Sequence, residues 1–307
     1  MKPVLITGSS GLIGAALIRA MARAGWPAIG VDSRPAPTTT IVHHLLPGDP
    51  RIPALVAEAR GVIHLAGMSR VKWGELDRAR CWAENVALTA TITDAAIAAP
   101  TRPWLIYASS REVYGEPATL PVSDAAPIAP LNIYGASKAA AEALVTQAAR
   151  QADLATAILR FSTVYGGAED HDDRVIPAFL NAAMAHRPLQ VFGAEVMVDP
   201  TWIGDVIDAV MRQAEALTLG AVADRPVLLC GGQGITLLDL ARRICALTGS
   251  TSPIEISAGR DYDAVRFHGT PLYARQWLGW QPQTSLDDGI CQYARLLAPR
   301  AAAAGHG

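Results

Sequence analysis

The chain of 307 residues has little excess charge, no paired cysteines and no long apolar run. Its 26 basic and 28 acidic residues give a formal net charge of −2, which provides no general attraction to nucleic acid or anionic lipid. The four cysteines are scattered and none belongs to a Cys-x-x-Cys pair. We therefore expect them to be small buried residues in a reducing compartment, and we predict no metal site and no nucleic-acid partner.

No apolar run reaches the roughly 18 residues that a membrane helix needs. Met1 and Lys2 lead straight into a short apolar run, so no signal peptide is predicted. Half of the residues are apolar and 18% are charged, which is the composition of a globular protein. These features predict a cytoplasmic protein without a membrane partner.

A glycine-rich turn follows the first predicted strand. Residues 3–6 are an apolar run typical of a buried parallel strand, and apolar residues recur at helical spacing over 12–24. A strand, a glycine turn and a helix in this order are typical of a dinucleotide site, in which the pyrophosphate binds the free amides at the start of the helix. The alternative is a plain glycine turn. The predicted cofactor contacts here are Gly8, Ser10, Gly11, Leu12, Ile13 and Gly14.

Two further apolar runs end in residues suited to a cofactor. The run over 27–31 ends in Asp32, whose carboxylate would accept hydrogen bonds from ribose hydroxyls and repel a 2′-phosphate. This favours NAD over NADP, although Arg34 could reach a 2′-phosphate. The run over 62–67 predicts a buried strand in which His64 is a hydrogen-bonded core residue. Its end supplies three more predicted cofactor contacts, Leu65, Ala66 and Gly67.

A tyrosine and a lysine lie four residues apart at the start of an alanine-rich segment. Tyr134 and Lys138 would share one helix face, and a nearby cation favours the phenolate, lowering its pKa from about 10 toward working pH. The apolar run over 104–108 delivers Ser110, whose hydroxyl could share the proton of a substrate alcohol. Such a group is a base for an alcohol whose carbon loses hydride. A tyrosine and a lysine at this spacing also occur by chance, and the alternative is that both lie on a solvated helix face.

Strands alternate with helices over the first 165 residues, which predicts a doubly wound parallel sheet with ligands at the carboxyl ends of its strands. Helices are predicted over 75–99, 175–184, 201–216 and 236–248, the last N-capped by Thr236, and residues 301–307 as a frayed tail. We predict a cofactor domain over 1–165 with a return segment near 199–229. Residues 166–198 and 230–307 would form a second lobe folded against it.

Taken together, these motifs resemble the extended short-chain dehydrogenase/reductase family, in its branch of NAD-dependent sugar-nucleotide epimerases and dehydratases. The resemblance covers nearly the whole chain. It implies an α/β fold with a Rossmann-type doubly wound sheet, a smaller C-terminal α/β substrate lobe, NAD as cofactor and a homodimer formed through two helices per subunit. It rests on residues 7–14, 64–67, 109–115, 134–138, 202–206 and 278–282.

The resemblance implies roles for individual residues. Tyr134 would be the base, Lys138 would hold the nicotinamide ribose and tune Tyr134, and Ser110 would contact the substrate hydroxyl. Asn85 lies where the family has a cofactor-side asparagine, with a solvated or capping residue as the alternative. Asp49 resembles the residue that reaches the adenine amine, although the proline after it has no N–H to donate.

Glu112 is the position that separates activities within the family. The dehydratases and decarboxylating relatives have glutamate there, as a base or steering group, whereas simple 4-epimerases usually lack an acidic residue. Dehydratases also have an aspartate before it as the proton donor, and here that residue is Arg111, which cannot give up a proton at working pH. The alternative is that Glu112 is a structural partner of Arg111 or of a backbone amide.

The expected substrate contacts also depart from the family pattern. Thr163 replaces an asparagine that contacts the nucleotide diphosphate, and Val198 replaces an arginine that pairs with phosphate. Arg174 and Arg266 could supply the missing charge or lie on a solvated surface. The predicted substrate contacts are Ser109, Arg111, Thr163, Arg174 and Arg266.

The hypothesis is therefore an NAD-dependent enzyme that modifies a sugar or nucleotide sugar by transient oxidation. Epimerisation through a keto intermediate is favoured. A keto-sugar reductase, a sugar dehydrogenase, a dehydratase and a decarboxylase remain alternatives. A dinucleotide sensor without catalysis is the alternative from another class, and the presence of Ser110, Tyr134 and Lys138 counts against it.

Overall fold

The computed structural model describes residues 1–260 and 264–304. Within these residues, seven parallel strands form a sheet in the order β11-β6-β5-β4-β1-β2-β3. This confirms the predicted α/β class and the doubly wound parallel sheet. The strands of this sheet are β1 (Val4–Thr7), β2 (Ala28–Asp32), β3 (Ile41–Val42), β4 (Gly61–His64), β5 (Trp104–Ser110), β6 (Thr156–Phe161) and β11 (Val227–Leu229).

Helices cover both faces of the sheet because each presents an apolar stripe to it. Leu17 and Val210 belong to one buried cluster, and Ile92 and Val145 to the other. The first face carries α1 (Leu12–Arg23), α8 (Ile203–Thr218) and α10 (Leu272–Leu278), and the second carries α2 (Arg51–Ala57), α5 (Leu88–Ala98) and α6 (Ile133–Ala152). Two short helices, α3 (Val71–Leu76) and α4 (Arg78–Trp82), precede α5.

A third apolar cluster lies beyond the sheet, among α7 (Val175–Met184), α9 (Leu237–Thr248) and α11 (Leu286–Ala304). Leu180, Leu240 and Ile290 are fully buried in it. Its strands pair in twos: β7 with β10, β8 with β13 and β9 with β12. Their bounds are β7 (Thr163–Tyr165), β8 (Leu189–Phe192), β9 (Met197–Val198), β10 (Pro200–Trp202), β12 (Ile235–Thr236) and β13 (Ile254–Ser257). Between these pieces, α8 and β11 return to the main sheet.

The helix predicted over 75–99 is interrupted. Asp77 ends α3 with a non-helical backbone, and its side chain accepts the amide of Arg80 as the N-cap of α4. A five-residue π-helical segment, Ala83–Ala87, then joins α4 to α5. The capping tendency of aspartate explains the break that apolar periodicity did not show.

The remaining helix boundaries differ little from prediction. Residues 200–202 form β10, so α8 begins at Ile203, and Thr236 caps α9 as predicted by accepting the amide of Asp239. The predicted fraying is wrong for residues 301–304, which belong to α11, whereas 305–307 lie outside the described residues. None of the described helices has the length and apolar character needed to cross a membrane.

Candidate active site

The glycine turn between β1 and α1 brings backbone amides to the carboxyl edge of the sheet. Gly8 has φ of 76°, which favours glycine, and a Cβ on Gly14 would lie 2.1 Å from the carbonyl oxygen of Gly8. The amide of Ala15 donates to Gly11 at 2.8 Å, so α1 makes its own hydrogen bonds only from that point. The amides before it, at Leu12 and Ile13, begin the helix and suit a phosphate.

Asp32 is fixed at the end of β2 by two backbone amides. Ser10 N–H donates to Asp32 Oδ2 at 3.0 Å, and Arg34 N–H donates to Oδ1 at 3.0 Å. The Arg34 guanidinium lies 3.8 Å from the same carboxylate and is mostly exposed. Arg34 is thus close to Asp32 and lines the cleft, while the carboxylate stands where a ribose hydroxyl would need an acceptor.

Ser110 and Tyr134 come together at the carboxyl end of β5. Ser110 is its last residue, Tyr134 lies in the first turn of α6, and both side chains border the cleft, where Ser110 acts on the pKa of the Tyr134 phenol. Burial raises the pKa of Tyr134 to about 12, against the opposing effects of Ser110 and the nearby charge of Arg174. The phenol is therefore a neutral proton donor and acceptor held against a hydroxyl.

Lys138 lies beside this pair, one helical turn along α6. Its Nζ donates to the carbonyl oxygen of Ala108 at 2.9 Å and lies 5.9 Å from the centroid of the Tyr134 ring. Burial lowers the pKa of Lys138 to about 8. The pKa of Tyr134 is thus raised in this structure and not lowered as the sequence predicted, because the buried phenolate loses its hydration.

Asn85 lies in the π-helical segment, behind the cleft. Its Nδ2 donates to Ser137 Oγ at 2.9 Å, whereas its Oδ1 is buried without a hydrogen-bond partner among the described residues. That oxygen faces Gly67, where a Cβ would approach it to 2.5 Å, so only glycine fits there. A buried acceptor left open at the glycine-lined edge of the site suits a polar ligand.

His64 is the hydrogen-bonded core residue that the sequence predicted. Its Nδ1 is 2.8 Å from Thr7 Oγ1 and its Nε2 is 3.1 Å from Thr89 Oγ1. Burial, with a smaller effect from the charge of Lys138, lowers the pKa of His64 to about 3. The imidazole is therefore neutral at working pH.

Both carboxylate oxygens of Glu112 are engaged by neighbouring side chains. Arg111 Nη2 is 2.8 Å from Oε1, and Asn132 Nδ2 donates to Oε2 at 3.0 Å. Asn132 also caps α6 through its Oδ1, which accepts the amide of Gly135. Arg111 packs over the ring of Phe267 at 5.0 Å. Glu112 borders the cleft, but its contacts are those of the structural alternative raised from the sequence.

These elements border one cleft of about 1970 Å³, which extends from the sheet edge into the second lobe. Its size exceeds the roughly 300–1,000 Å³ of an ordinary ligand pocket and leaves room for a dinucleotide and a second ligand. The predicted site residues that border it are Gly8, Gly11, Leu12, Ile13, Gly14, Asp32, Leu65, Ala66, Gly67, Ser109, Ser110, Arg111, Glu112, Tyr134, Lys138, Thr163 and Arg174.

Two predicted contacts lie elsewhere. The carboxylate of Asp49 is hydrogen bonded to His43 and to the amide of Arg51, and the described cleft lining includes His43 rather than Asp49. Arg266 is mostly exposed and pairs with Glu116 at 3.3 Å, outside the described lining of the cleft. In both cases, an ion or hydrogen-bond partner holds the side chain away from the cleft.

Two other predicted contacts have different surroundings from those expected. The Ser109 hydroxyl donates to the buried Glu142, so its polar group is already satisfied although the residue borders the cleft. Ser10 supplies its amide to Asp32, and its hydroxyl is buried without a partner among the described residues. Both residues support the site through these contacts.

Sequence analysis missed the basic residues of the cleft, which come from loops without a motif. Arg70 pairs with Asp173 through two hydrogen bonds of 2.7 and 3.1 Å, and Trp73 packs edge-on against His171, so the segment before α4 contacts the second lobe across the cleft. The basic residues that the sequence analysis did not assign to the cleft are Arg70, Lys72, Arg80, Arg187 and Arg260. For Arg70, Lys72 and Arg80, the clustering of basic residues over 70–80 was the visible signal, and Arg187 and Arg260 had none.

Known proteins share this arrangement over most of the chain. Residues 4–223 match the model of the NAD dependent epimerase/dehydratase family. The chain belongs to this family. It is similar to UDP-glucose 4-epimerase of Streptomyces lividans, with 30% identity over 72% of this chain and 70% of that one. UDP-glucose 4-epimerase of Azospirillum brasilense shares 28% identity over 95% and 90% of the two chains.

Among solved structures, MoeE5 in complex with UDP-glucose and NAD superposes with a TM-score of 0.89 at 26% identity, covering 97% of this chain and 99% of that one. The protein is therefore an NAD-dependent enzyme of the epimerase/dehydratase family with a Rossmann-type fold. The resemblance stated from the sequence is confirmed, and so is NAD as its cofactor. The open Asn85 oxygen, the amides at the start of α1 and Asp32 are groups that fit this cofactor.

Proposed function

We propose that the protein is a nucleotide-sugar 4-epimerase acting on a UDP-hexose. The observation that carries the proposal is the juxtaposition of Ser110 and Tyr134, with Lys138 beside them, at the edge of the sheet where the glycine turn and Asp32 also lie. The relatives from Streptomyces lividans and Azospirillum brasilense, which are UDP-glucose 4-epimerases, support the choice of reaction and substrate.

The proposed site residues divide the work between binding and proton transfer. The amides of Leu12 and Ile13 would hold the pyrophosphate of NAD, and Asp32 its adenosine ribose. When bound, NAD supplies a nicotinamide that accepts a hydride from the sugar carbon and returns it. The chain would exclude water from this reaction by enclosing it between the sheet edge and the second lobe.

Proton transfer would run through Tyr134. Its Oη, close to Ser110, would accept the proton of the sugar hydroxyl and later return it to the carbonyl oxygen. Because burial raises the pKa of the phenol to about 12, ionisation depends on the positive charges nearby, at Lys138 and Arg174. The same phenol would serve both half-reactions, before and after the keto sugar turns over in the cleft.

The contacts of Glu112 favour epimerisation over dehydration. A dehydratase needs a free carboxylate base and a proton donor, whereas Glu112 is bound on one side by Arg111 and on the other by Asn132. Arg111 stands at the donor position and keeps its proton at working pH. The pair would instead offer a donor and an acceptor to sugar hydroxyls.

We propose that residues 166–198 and 230–307 act as the substrate lobe. Arg174, Arg187 and Arg260 bring positive charge to that side of the cleft, where a diphosphate would need it. Val198 borders the same region and adds no charge. These three arginines would compensate for the apolar residue at position 198, while Thr163 would contact the nucleotide.

The test is conversion of UDP-glucose to UDP-galactose by the purified protein, followed by chromatography of the nucleotide sugars. Tyr134→Phe should abolish conversion while leaving NAD binding and thermal stability close to those of the wild type. Tyr273→Phe, at a tyrosine bound to Asp224 away from the cleft, is the matched control and should retain full activity. Full activity of Tyr134→Phe would refute the proposed base.

Net reduction or oxidation is the competing reaction. A redox-neutral epimerase leaves the absorbance at 340 nm unchanged in the steady state, whereas a dehydrogenase accumulates NADH for as long as sugar and NAD last. Sustained NADH production would show that the protein is a sugar dehydrogenase that uses the same residues, and not an epimerase.

We further propose a cytoplasmic homodimer. Support comes from α5 and α6, which pack side by side on one face of the sheet, since the family resemblance implies a dimer through two helices per subunit. Light scattering coupled to gel filtration measures the molar mass directly. A mass near that of one 32.4 kDa chain would contradict the dimer.

A further inference from the structure

Lys138 is a buried cation without a carboxylate partner. Its residue is 5% exposed, its Nζ donates to the carbonyl oxygen of Ala108, and it forms no ion pair within the part of the chain that the structure describes. A buried charge that lacks an ionic partner is costly, because it loses its hydration without gaining an opposite charge. Something else in the surroundings must keep the ammonium charged and in place.

Two aromatic rings flank this ammonium. Nζ lies 5.1 Å from the centroid of Tyr107 and 5.9 Å from that of Tyr134, both within the range of a cation–π contact. Tyr107, on β5, is 1% exposed and belongs to the core between the sheet and α5–α6. It supplies the nearer ring from beneath the site.

The other groups around the ammonium offer little negative charge. Burial raises the pKa of the Cys81 thiol, and His64 is neutral because burial lowers its pKa to about 3. The charge of Glu142 favours the ammonium, but its carboxylate forms no ion pair with Lys138 and accepts two hydrogen bonds from Arg160. The titratable groups that face Lys138 are His64 on β4, Cys81 on α4, Tyr107 on β5, and Tyr134 and Glu142 on α6.

We propose that Tyr107 is a positioning residue of the active site, whose ring face stabilises the charged form of Lys138 and fixes its ammonium beside Tyr134. The negative face of the Tyr107 ring stabilises the ammonium as a counter-ion would. It does so without adding a carboxylate that would compete for the proton. The inference builds on the proposed function of Lys138, but it concerns the protonation of that lysine, which can be read without any substrate.

The chain contains only three lysines, Lys2, Lys72 and Lys138, so carbon-13 labelling of lysine gives a spectrum that can be assigned with Lys2→Arg and Lys72→Arg variants. The pH titration of the labelled ε-carbon then reports the protonation of Lys138 in the full-length protein. We compare the wild type with Tyr107→Phe, which keeps the ring, and Tyr107→Leu, which removes it.

Lys138 in the wild type should titrate with a pKa of about 8. Tyr107→Phe should leave that value unchanged, and Tyr107→Leu should lower it by about one unit, a tenfold change in the proton affinity. The alkaline limb of the activity profile should move in the same direction. Leu105→Ala, a fully buried residue in the same cluster, is the matched control and should cost stability without moving the titration.

Equal titrations of Lys138 in the leucine and phenylalanine variants would overturn the proposal, even if both variants lost activity. A fall of the pKa in Leu105→Ala as large as in Tyr107→Leu would also overturn it, since the effect would then be general loosening of the core. If Tyr107→Leu does not fold, Tyr107→Met fills more of the same space without a ring and replaces it. Loss of epimerase activity with a normal pattern of lysine titrations would count against the proposed function alone.

Discussion

The protein buries two cations in neighbouring parts of the fold, and the groups that surround the two charges are of different kinds. Arg160, on β6, donates to both oxygens of Glu142 at 2.8 and 2.6 Å and to the hydroxyl of Tyr114 at 2.9 Å. Burial alone would lower the pKa of Arg160, but the hydrogen bonds and charge of Glu142 raise it overall. Lys138 has a carbonyl oxygen and two aromatic faces in place of a carboxylate.

The difference separates a structural charge from one available for chemistry. An arginine bound to a carboxylate through two hydrogen bonds has its donors occupied and its proton fixed. The pKa of Lys138, lowered by burial to about 8, leaves its proton within reach of working pH, and the neighbouring carboxylate of Glu142 is already paired with Arg160. We therefore expect substitutions of Lys138 to affect activity, and substitutions of Arg160 to affect folding.

Lys138→Met should produce the largest effect. We expect kcat to fall by about a thousandfold or more, roughly 4 kcal/mol of activation free energy, because the field that favours ionised Tyr134 is lost. The free energy of unfolding should stay within about 1 kcal/mol of the wild type, since a buried unpaired cation is removed. Steady-state kinetics and urea unfolding measure the two quantities. A large loss of stability would make Lys138 a structural residue like Arg160.

Arg160→Met should show the reverse pattern in stability. It leaves Glu142 buried and unpaired, and removing one partner of such a pair costs about 3–5 kcal/mol. The double variant Arg160→Met with Glu142→Leu should recover most of that loss, because no orphaned charge remains. Urea unfolding of the two variants and of Glu142→Leu completes the cycle. Equal stability of the single and double variants would show that the charge is not what matters.

His64 sharpens the comparison because it lies next to Lys138 and stays neutral. The pKa of His64 in the folded protein, about 3, is below the ordinary value of 6.5. Between these two pH values, the unfolded chain binds a proton that the folded protein does not bind. Stability is thus lost as pH falls below 6.5, by about 2 kcal/mol at pH 5. The difference in unfolding free energy between the wild type and His64→Gln, measured at pH 7 and pH 5, should shrink by that amount. A difference independent of pH would mean that His64 binds its proton as readily in the folded protein as in the unfolded chain.

Asn132→Ala should have the smallest effect. The side chain caps α6 through the amide of Gly135 and holds Glu112, so its removal should cost about 1–2 kcal/mol of stability and lower kcat several-fold by loosening Tyr134. Asn132→Asp keeps the cap but places a second carboxylate against Glu112. If thermal unfolding and kinetics show Asn132→Ala indistinguishable from the wild type, the cap does not position the phenol.

The features that depend on local backbone geometry could be predicted from the sequence. The turn over residues 7–14 needs glycine for its angles and close approaches, and four-residue spacing on a helix places Tyr134 and Lys138 together, so both could be predicted. What depended on burial or on distant partners could not. The pKa of Tyr134 is raised and not lowered because the phenol is buried, which its spacing from Lys138 does not reveal.

The other differences between prediction and structure arise from contacts between residues that are far apart in the sequence. Arg266 is held by Glu116, and Glu142 takes the hydroxyl of Ser109 and the guanidinium of Arg160. The basic lining of the cleft is assembled from separate loops, so Arg260 was not distinguishable from a surface residue. Asp49 was assigned by position in a motif, and its neighbour His43 accounts for where its carboxylate points.

The most direct test of the central claim, that Tyr134 with Ser110 and Lys138 supports a redox-neutral inversion, uses UDP-glucose carrying deuterium at carbon 4. The account predicts UDP-galactose that retains the deuterium and has the mass of the substrate, formed by the wild type and not by Tyr134→Phe. A product that has lost the label, water or carbon dioxide, or a tyrosine variant that still forms labelled UDP-galactose at the normal rate, would contradict it.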